Sequence, residues 1–181
     1  MTGKSLNDKR CYDISENIKR IHENISEAAI KALRSPSEIK LMAVTKTVEP
    51  LFINYAIDNC GIDLIGENRV QELLSKEPDL HLQGVDTHII GHLQTNKVKS
   101  VLHEINMIES VDSIHIAEEI QRQCVKDDYS MDILLEINIG CEEAKTGFLY
   151  EEVHDACLQI AEFDRVHIKG LMSVPPICED E

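Results

Sequence analysis

Lys46 closes the run Leu41-Met42-Ala43-Val44-Thr45, and Pro50 follows four residues later. The run is short, apolar and bounded by Lys40 and Lys46, which suits a buried strand and is too short for a helix. Proline cannot continue a central strand, so the strand ends near Lys46. Side chains alternate along a strand, which puts Met42, Val44 and Lys46 on one face. The carboxyl end of a parallel strand is where open α/β sheets and β/α barrels bind their ligands. An amine placed there against a desolvating wall loses basicity and becomes a nucleophile able to form a Schiff base. The other reading is an ordinary strand-end lysine with its head in water, and these residues alone leave both open.

Further chemistry-bearing residues follow other strand-like runs. Gly66-Glu67-Asn68-Arg69 sets a carboxylate and an amide behind a glycine. Asn68 either directs its amide at a ring hydroxyl or phosphate, or simply begins the next helix. Gln94-Thr95-Asn96-Lys97 carries the same ambiguity. His88 and His92 are four apart, but Gly91 lies between them and the carboxylate of an H-E-x-x-H helix is missing, so no metal site is expected. The chain has neither of the common glycine-rich nucleotide motifs and no G-x-S-x-G nucleophile turn.

The elements that must position these residues repeat with one rhythm. Ile14, Ile18, Ile21, Ile25, Ala29 and Leu33 predict a long amphipathic helix ended by Ser35-Pro36. Strands are predicted over 41–45, 62–66, 87–91, 105–109, 132–139 and 166–172. Between them lie helices built on Ile53 to Cys60 and closed by Gly61, on Glu67 to Lys76, on the residues after Gln94, on Ile114 to Cys124, and on Tyr150 to Glu162. Asp112 or Ser113 caps the fourth of these. Strands alternating with helices imply a parallel sheet with right-handed crossovers. Polar residues gather at the strands' carboxyl ends: Lys46, Glu67, Asn68, His92, Glu109, Ser110, Asn138 and Ser173. That asymmetry predicts an α/β fold of the TIM-type (β/α) barrel kind, with about six of the usual eight β/α units in this chain.

Composition narrows the partners. The 181 residues suffice for one domain with a real core. With 33 acidic against 18 basic residues the formal charge is −15, a surface that repels phosphate backbones and anionic lipid, so neither nucleic acid nor membrane is expected as a partner. No apolar run approaches the length of a membrane span, and MTGKSLNDKR lacks a signal peptide's apolar core. The expected location is cytoplasmic. Six scattered cysteines without C-x-x-C predict neither a disulfide framework nor a zinc site, and most read as small core residues.

Six blocks occur in order: LMAVTKTVEP, IGENRVQELLSK, HIIGHLQTNKVKSVL, IESVDS, LLEINIGCEEAKTGF and IKGLMSVPP. Together they closely resemble the YggS/PROSC family, the pyridoxal phosphate homeostasis proteins, which share their fold with the N-terminal barrel of alanine racemase. The resemblance spans residues 12–176. It implies that Lys46 carries pyridoxal 5′-phosphate as a Schiff base, that Asn68 lies at the cofactor, that Met172 lies near its ring, and that His88 is a further pocket residue. It implies no catalytic residue. Members of the family continue through two more strands that hold the phosphate, so residues 1–181 are expected to form a single barrel domain of this kind, incomplete at its C terminus. A barrel left open in that way is expected to bind the cofactor more weakly than a longer form and to aggregate earlier on heating. The function implied is intracellular homeostasis of pyridoxal phosphate by a monomer, without robust catalysis, with apo-enzymes as recipients. Two alternatives stand beside it: a small pyridoxal phosphate-dependent racemase or lyase, and a truncated fragment that binds nothing.

Overall fold

The structure is a computed structural model that describes residues 6–142 and 145–176. Its main elements alternate as the pattern predicts: α1 (Leu6–Lys31), β1 (Ala43–Val44), α2 (Pro50–Cys60), β2 (Leu64–Glu67), α3 (Val70–Lys76), β3 (Asp86–Ile89), α4 (Thr95–Val101), β4 (Met107–Val111), α5 (Ile114–Lys126), β5 (Met131–Glu136), α6 (Val153–Ala161) and β6 (Val166–Met172). Contacts divide the chain into two compact units, Met1–Gly66 with Lys76–Asp86, and Glu67–Ser75 with Thr87–Glu181.

In the first unit, Ile53, Ala56, Ile62 and Ile65 form a small core against which Ile14 and Ile18 of α1 pack. The helical spacing therefore identified the correct face of α1. It ran too far at the C-terminal end, because Leu33 lies beyond the helix with φ of 57° and is 96% exposed. The cause is a backbone closure: Arg34 N–H bonds to Ala29 O at 2.9 Å and Leu33 N–H to Ile30 O at 3.0 Å, the paired bonds of a Schellman cap with Leu33 at its left-handed position. α2 starts on Pro50, whose missing N–H is no loss in a first turn, and stops on Gly61 at φ 71°. β1 pairs in parallel with β2, Ala43 opposite Ile65 and Val44 opposite Gly66. β1 is shorter than the predicted strand, and Val44 is 47% exposed rather than buried. Its partner Gly66 has no side chain to lay over it.

In the second unit β3, β4, β5 and β6 pair in parallel in chain order. Burial alternates strictly along β5: Met131, Ile133 and Leu135 are buried, while Asp132, Leu134 and Glu136 lie on the other, partly exposed face. The buried face packs with Ile89, Ile108, Ile120 and Ile160 into the main core, each fully removed from water. Each such side chain contributes about 1.5–3 kcal/mol of transfer free energy. Two irregularities in register interrupt the ladders, one between Ile108 and Val111 and one between Ile133 and Leu134. At the second, Ile133 stands opposite Ile168 but Leu134 stands opposite Gly170, so Lys169 is the extra residue. After the bulge Met172 stands opposite Glu136; it is partly buried, whereas Leu171 beside it is 56% exposed. Among the described cysteines only Cys124 is fully buried, fewer than the composition led us to expect.

Candidate functional site

Lys46 belongs to the first unit, two residues after the end of β1. Its backbone approach is fixed by Thr45, whose N–H donates to Gly66 O at 3.0 Å and whose Oγ1 donates to the same oxygen at 3.3 Å. The carbonyl of Thr45 in turn accepts from Lys76 Nζ, the last residue of α3, at 2.9 Å. Thr47, on the other side, adopts φ of 61°. A β-branched residue in the left-handed region is a true outlier that stores about 1–3 kcal/mol of strain, and such strain collects at working sites. Between these fixed neighbours the Lys46 side chain is exposed and makes no hydrogen bond or ion pair among the described residues. The result is an unpartnered amine in the turn that follows β1, with half-exposed Val44 two residues before it in the chain. These residues fit a carbonyl-bearing cofactor. The amine is unpartnered, the adjoining surface is apolar, and Gly66 opposite Val44 occupies no space above the strand.

The other three residues singled out from the sequence belong to the second unit, and each is held by its own neighbour. His88 on β3 is buried, and its Nδ1 lies 2.6 Å from Glu109 Oε1 on β4. Glu109 was visible in sequence only as a polar strand-end residue. Its pairing with a histidine 21 positions earlier follows from the β3–β4 register, which no local spacing reveals. Asn68 follows β2 directly, and its backbone is pressed against Gly91, where a Cβ would stand 2.5 Å from Asn68 O and 2.9 Å from its Cα. Gly91 is thus a packing glycine that sets where Asn68 sits. Met172 ends β6 opposite Glu136 and, through its carbonyl, accepts from Ile137 N–H at 2.8 Å.

Several strand-end polar residues prove to be structural. Ser110 donates to Gly91 O at 2.7 Å, Ser173 to Ile137 O at 2.9 Å, and Asn138 donates its amide to Glu142 O at 2.9 Å while accepting from Glu142 N–H at 3.0 Å. They tie loops to strands, and each serine hydroxyl has its one proton committed to a backbone carbonyl. Lys76 was missed altogether, since a lysine in the last turn of a helix reads as an ordinary dipole partner.

Glu136 faces a mixed environment. Burial raises its carboxyl above the usual range, and the charge of Asp112 raises it further; a hydrogen bond from Thr146 and the proximity of His92 act in the opposite sense. His92 Nδ1 itself lies 2.6 Å from Asp112 Oδ2. A carboxyl raised in the fold contributes stability that is full below its unfolded value and is lost as pH rises through the folded one. Glu136→Gln is therefore expected to melt higher than the wild type at neutral pH. The advantage should disappear on acidification below the ordinary carboxylate range. Thermal melts across that window check this, and a variant that is less stable at neutral pH would contradict it.

Comparison with known proteins gives the chain's family and fold. The family model described as alanine racemase, N-terminal domain, matches residues 17–181. The pyridoxal phosphate homeostasis protein of Aquifex aeolicus is 38% identical over 165 residues, which are 91% of this chain and 72% of that protein. The crystal structure of an unknown protein from Bifidobacterium adolescentis matches with a TM-score of 0.90 at 32% identity, covering 98% of this chain and 76% of that one. PipY of Synechococcus elongatus, in a structure with PLP bound, matches with a TM-score of 0.71 at 29% identity over 86% of this chain and 73% of its own. The parallel β/α architecture expected from the sequence is the TIM-barrel-like fold of that domain. On the family match and the Aquifex relative together, this chain belongs to the alanine racemase N-terminal domain family, in the branch represented by the pyridoxal phosphate homeostasis proteins.

Proposed function

We propose that this chain binds pyridoxal 5′-phosphate covalently through Lys46 and serves cofactor homeostasis, holding the reactive aldehyde and releasing it to apo-enzymes. The observation that carries the reading is the exposed, unpartnered Lys46 amine on a backbone fixed by Gly66 and Lys76. The names of the relatives and the cofactor in the PipY structure support it. When bound, the cofactor supplies an aldehyde carbon that takes up a neutral amine with loss of water. The chain's part is to present that amine. Thr45 and Lys76 restrain the stem, Thr47 turns the chain away, and Val44 offers an apolar surface. In the second unit Asn68 and Met172 are the residues we assign to the cofactor's surroundings. His88, whose Nδ1 lies 2.6 Å from Glu109 Oε1, is a further pocket residue. The experiment is a spectral titration with pyridoxal phosphate, wild type against Lys46→Ala. Turnover of an amino acid that is lost in Lys46→Ala would overturn the non-catalytic part of the reading.

The location we propose is cytoplasmic; no helix among the described residues is long and apolar enough to cross a membrane. We further propose a monomer, because copies carrying a net charge of −15 repel one another. Sedimentation velocity should give a single species of monomer mass, and a stable dimer at micromolar concentration would refute it.

A further inference from the structure

The second unit contains a cavity of about 230 Å³ whose lining includes Asn68, Arg69, Gln71, His92, Gln94 and Lys97. Its chemistry runs against the rest of the molecule. The chain has 33 acidic and 18 basic residues, yet no acidic residue is among those lining this cavity. Elsewhere cations find carboxylates readily: Arg34 with Glu38, Arg122 with Glu119, Arg165 with Asp128 and Lys169 with Asp132. Arg69 and Lys97 do not. Neither side chain makes an ion pair or hydrogen bond among the described residues. Two cations that share one concavity without a counter-ion repel each other, and an anion between them removes that cost. The amides of Asn68, Gln71 and Gln94 add neutral donors around the same space.

We infer that this cavity binds a small phosphate monoester. A guanidinium fork and an ammonium, with amide donors beside them, offer more donors than the two oxygens of a carboxylate can accept, and suit the three terminal oxygens of a phosphate. The volume exceeds what inorganic phosphate alone fills, which leaves room for a short organic group. Asp112 holds His92 at one edge, so the ring is kept in place without a carboxylate entering the lining. The cavity shares Asn68 with the proposed cofactor surroundings, but the inference does not rest on the role given to Lys46.

The test is calorimetric titration of the protein with inorganic phosphate, with glycerol phosphate, and with acetate. Glycerol phosphate lacks an aldehyde and cannot react with Lys46. Saturable binding of the phosphates, glycerol phosphate the tighter, and none of acetate, is expected. Arg69→Gln and Lys97→Gln should each weaken it by about tenfold or more, the loss of one charge-assisted contact. Lys97→Arg should retain binding, and Lys46→Ala should leave it unchanged. Absence of saturable binding, equal binding of acetate, or equal affinity in Arg69→Gln and Lys97→Gln would each overturn the proposal. Loss of phosphate binding in Lys46→Ala would also overturn it, by assigning the signal to the Lys46 site. Arg69 is exposed, so a melt unchanged from wild type is expected for its variant.

Discussion

Lys46→Ala is expected to abolish the visible absorbance that develops when pyridoxal phosphate is added to the wild-type protein, and to raise the apparent Kd by about 100-fold or more. The size follows from what is removed. The amine is the group assigned to make a covalent bond, and no neighbouring hydrogen bond can replace it. The substitution should cost little stability, because the side chain is exposed and makes no hydrogen bond or ion pair among the described residues. Equal melting of the two proteins is therefore part of the prediction, and it separates loss of chemistry from loss of fold. Adducts on other surface lysines are expected to be weak and spread over several positions. A Lys46→Ala variant that keeps the wild-type band would show that the band comes from those lysines.

The second large effect is expected at Gly91. An added Cβ would stand 2.5 Å from Asn68 O, 2.9 Å from its Cα and 3.0 Å from its carbonyl carbon. All three are backbone atoms, so no side-chain rotation relieves the clash, and the segment carrying Asn68 must shift. Overpacking of this kind costs about 1–3 kcal/mol. Gly91→Ala should therefore unfold at lower urea and weaken cofactor binding through displaced Asn68. Gly61→Ala is the control: nothing lies within 4 Å of its Cβ, and its φ of 71° alone should cost about 1 kcal/mol. Gly91→Ala as stable as the wild type would show that Asn68 is not held by this contact.

How much of this was legible before the structure depended on whether the determinant was local. Gly61 ended α2 and Ser113 capped α5 as their residue types require, and β6 occupies 166–172 as predicted. The position of Lys46 at a strand end also followed from a short apolar run and a proline. The exposed end of α1 was not legible, because Leu33 continues the apolar spacing while the backbone has already closed on Ala29 and Ile30. Nor was the register of Met172, since a single bulged residue, Lys169, sets it opposite Glu136. The His88–Glu109 pair and the Lys76–Thr45 bond join residues 21 and 31 positions apart. They depend on strand register and helix placement, which periodicity does not encode. The polar residues at strand ends show the same limit from the other side: Lys46 and Ser110 look alike in position, but one amine is left unpartnered and one hydroxyl is committed to Gly91.

The central claim is that one amine, that of Lys46, takes up the cofactor. The protein would be incubated with pyridoxal phosphate, reduced with borohydride to fix the carbon–nitrogen bond, digested, and the labelled peptide identified by mass spectrometry. The account predicts one dominant labelled site, Lys46, in the peptide that contains Met42, Val44 and Thr45. A dominant label on any other lysine, or labelling spread evenly over many, would contradict it.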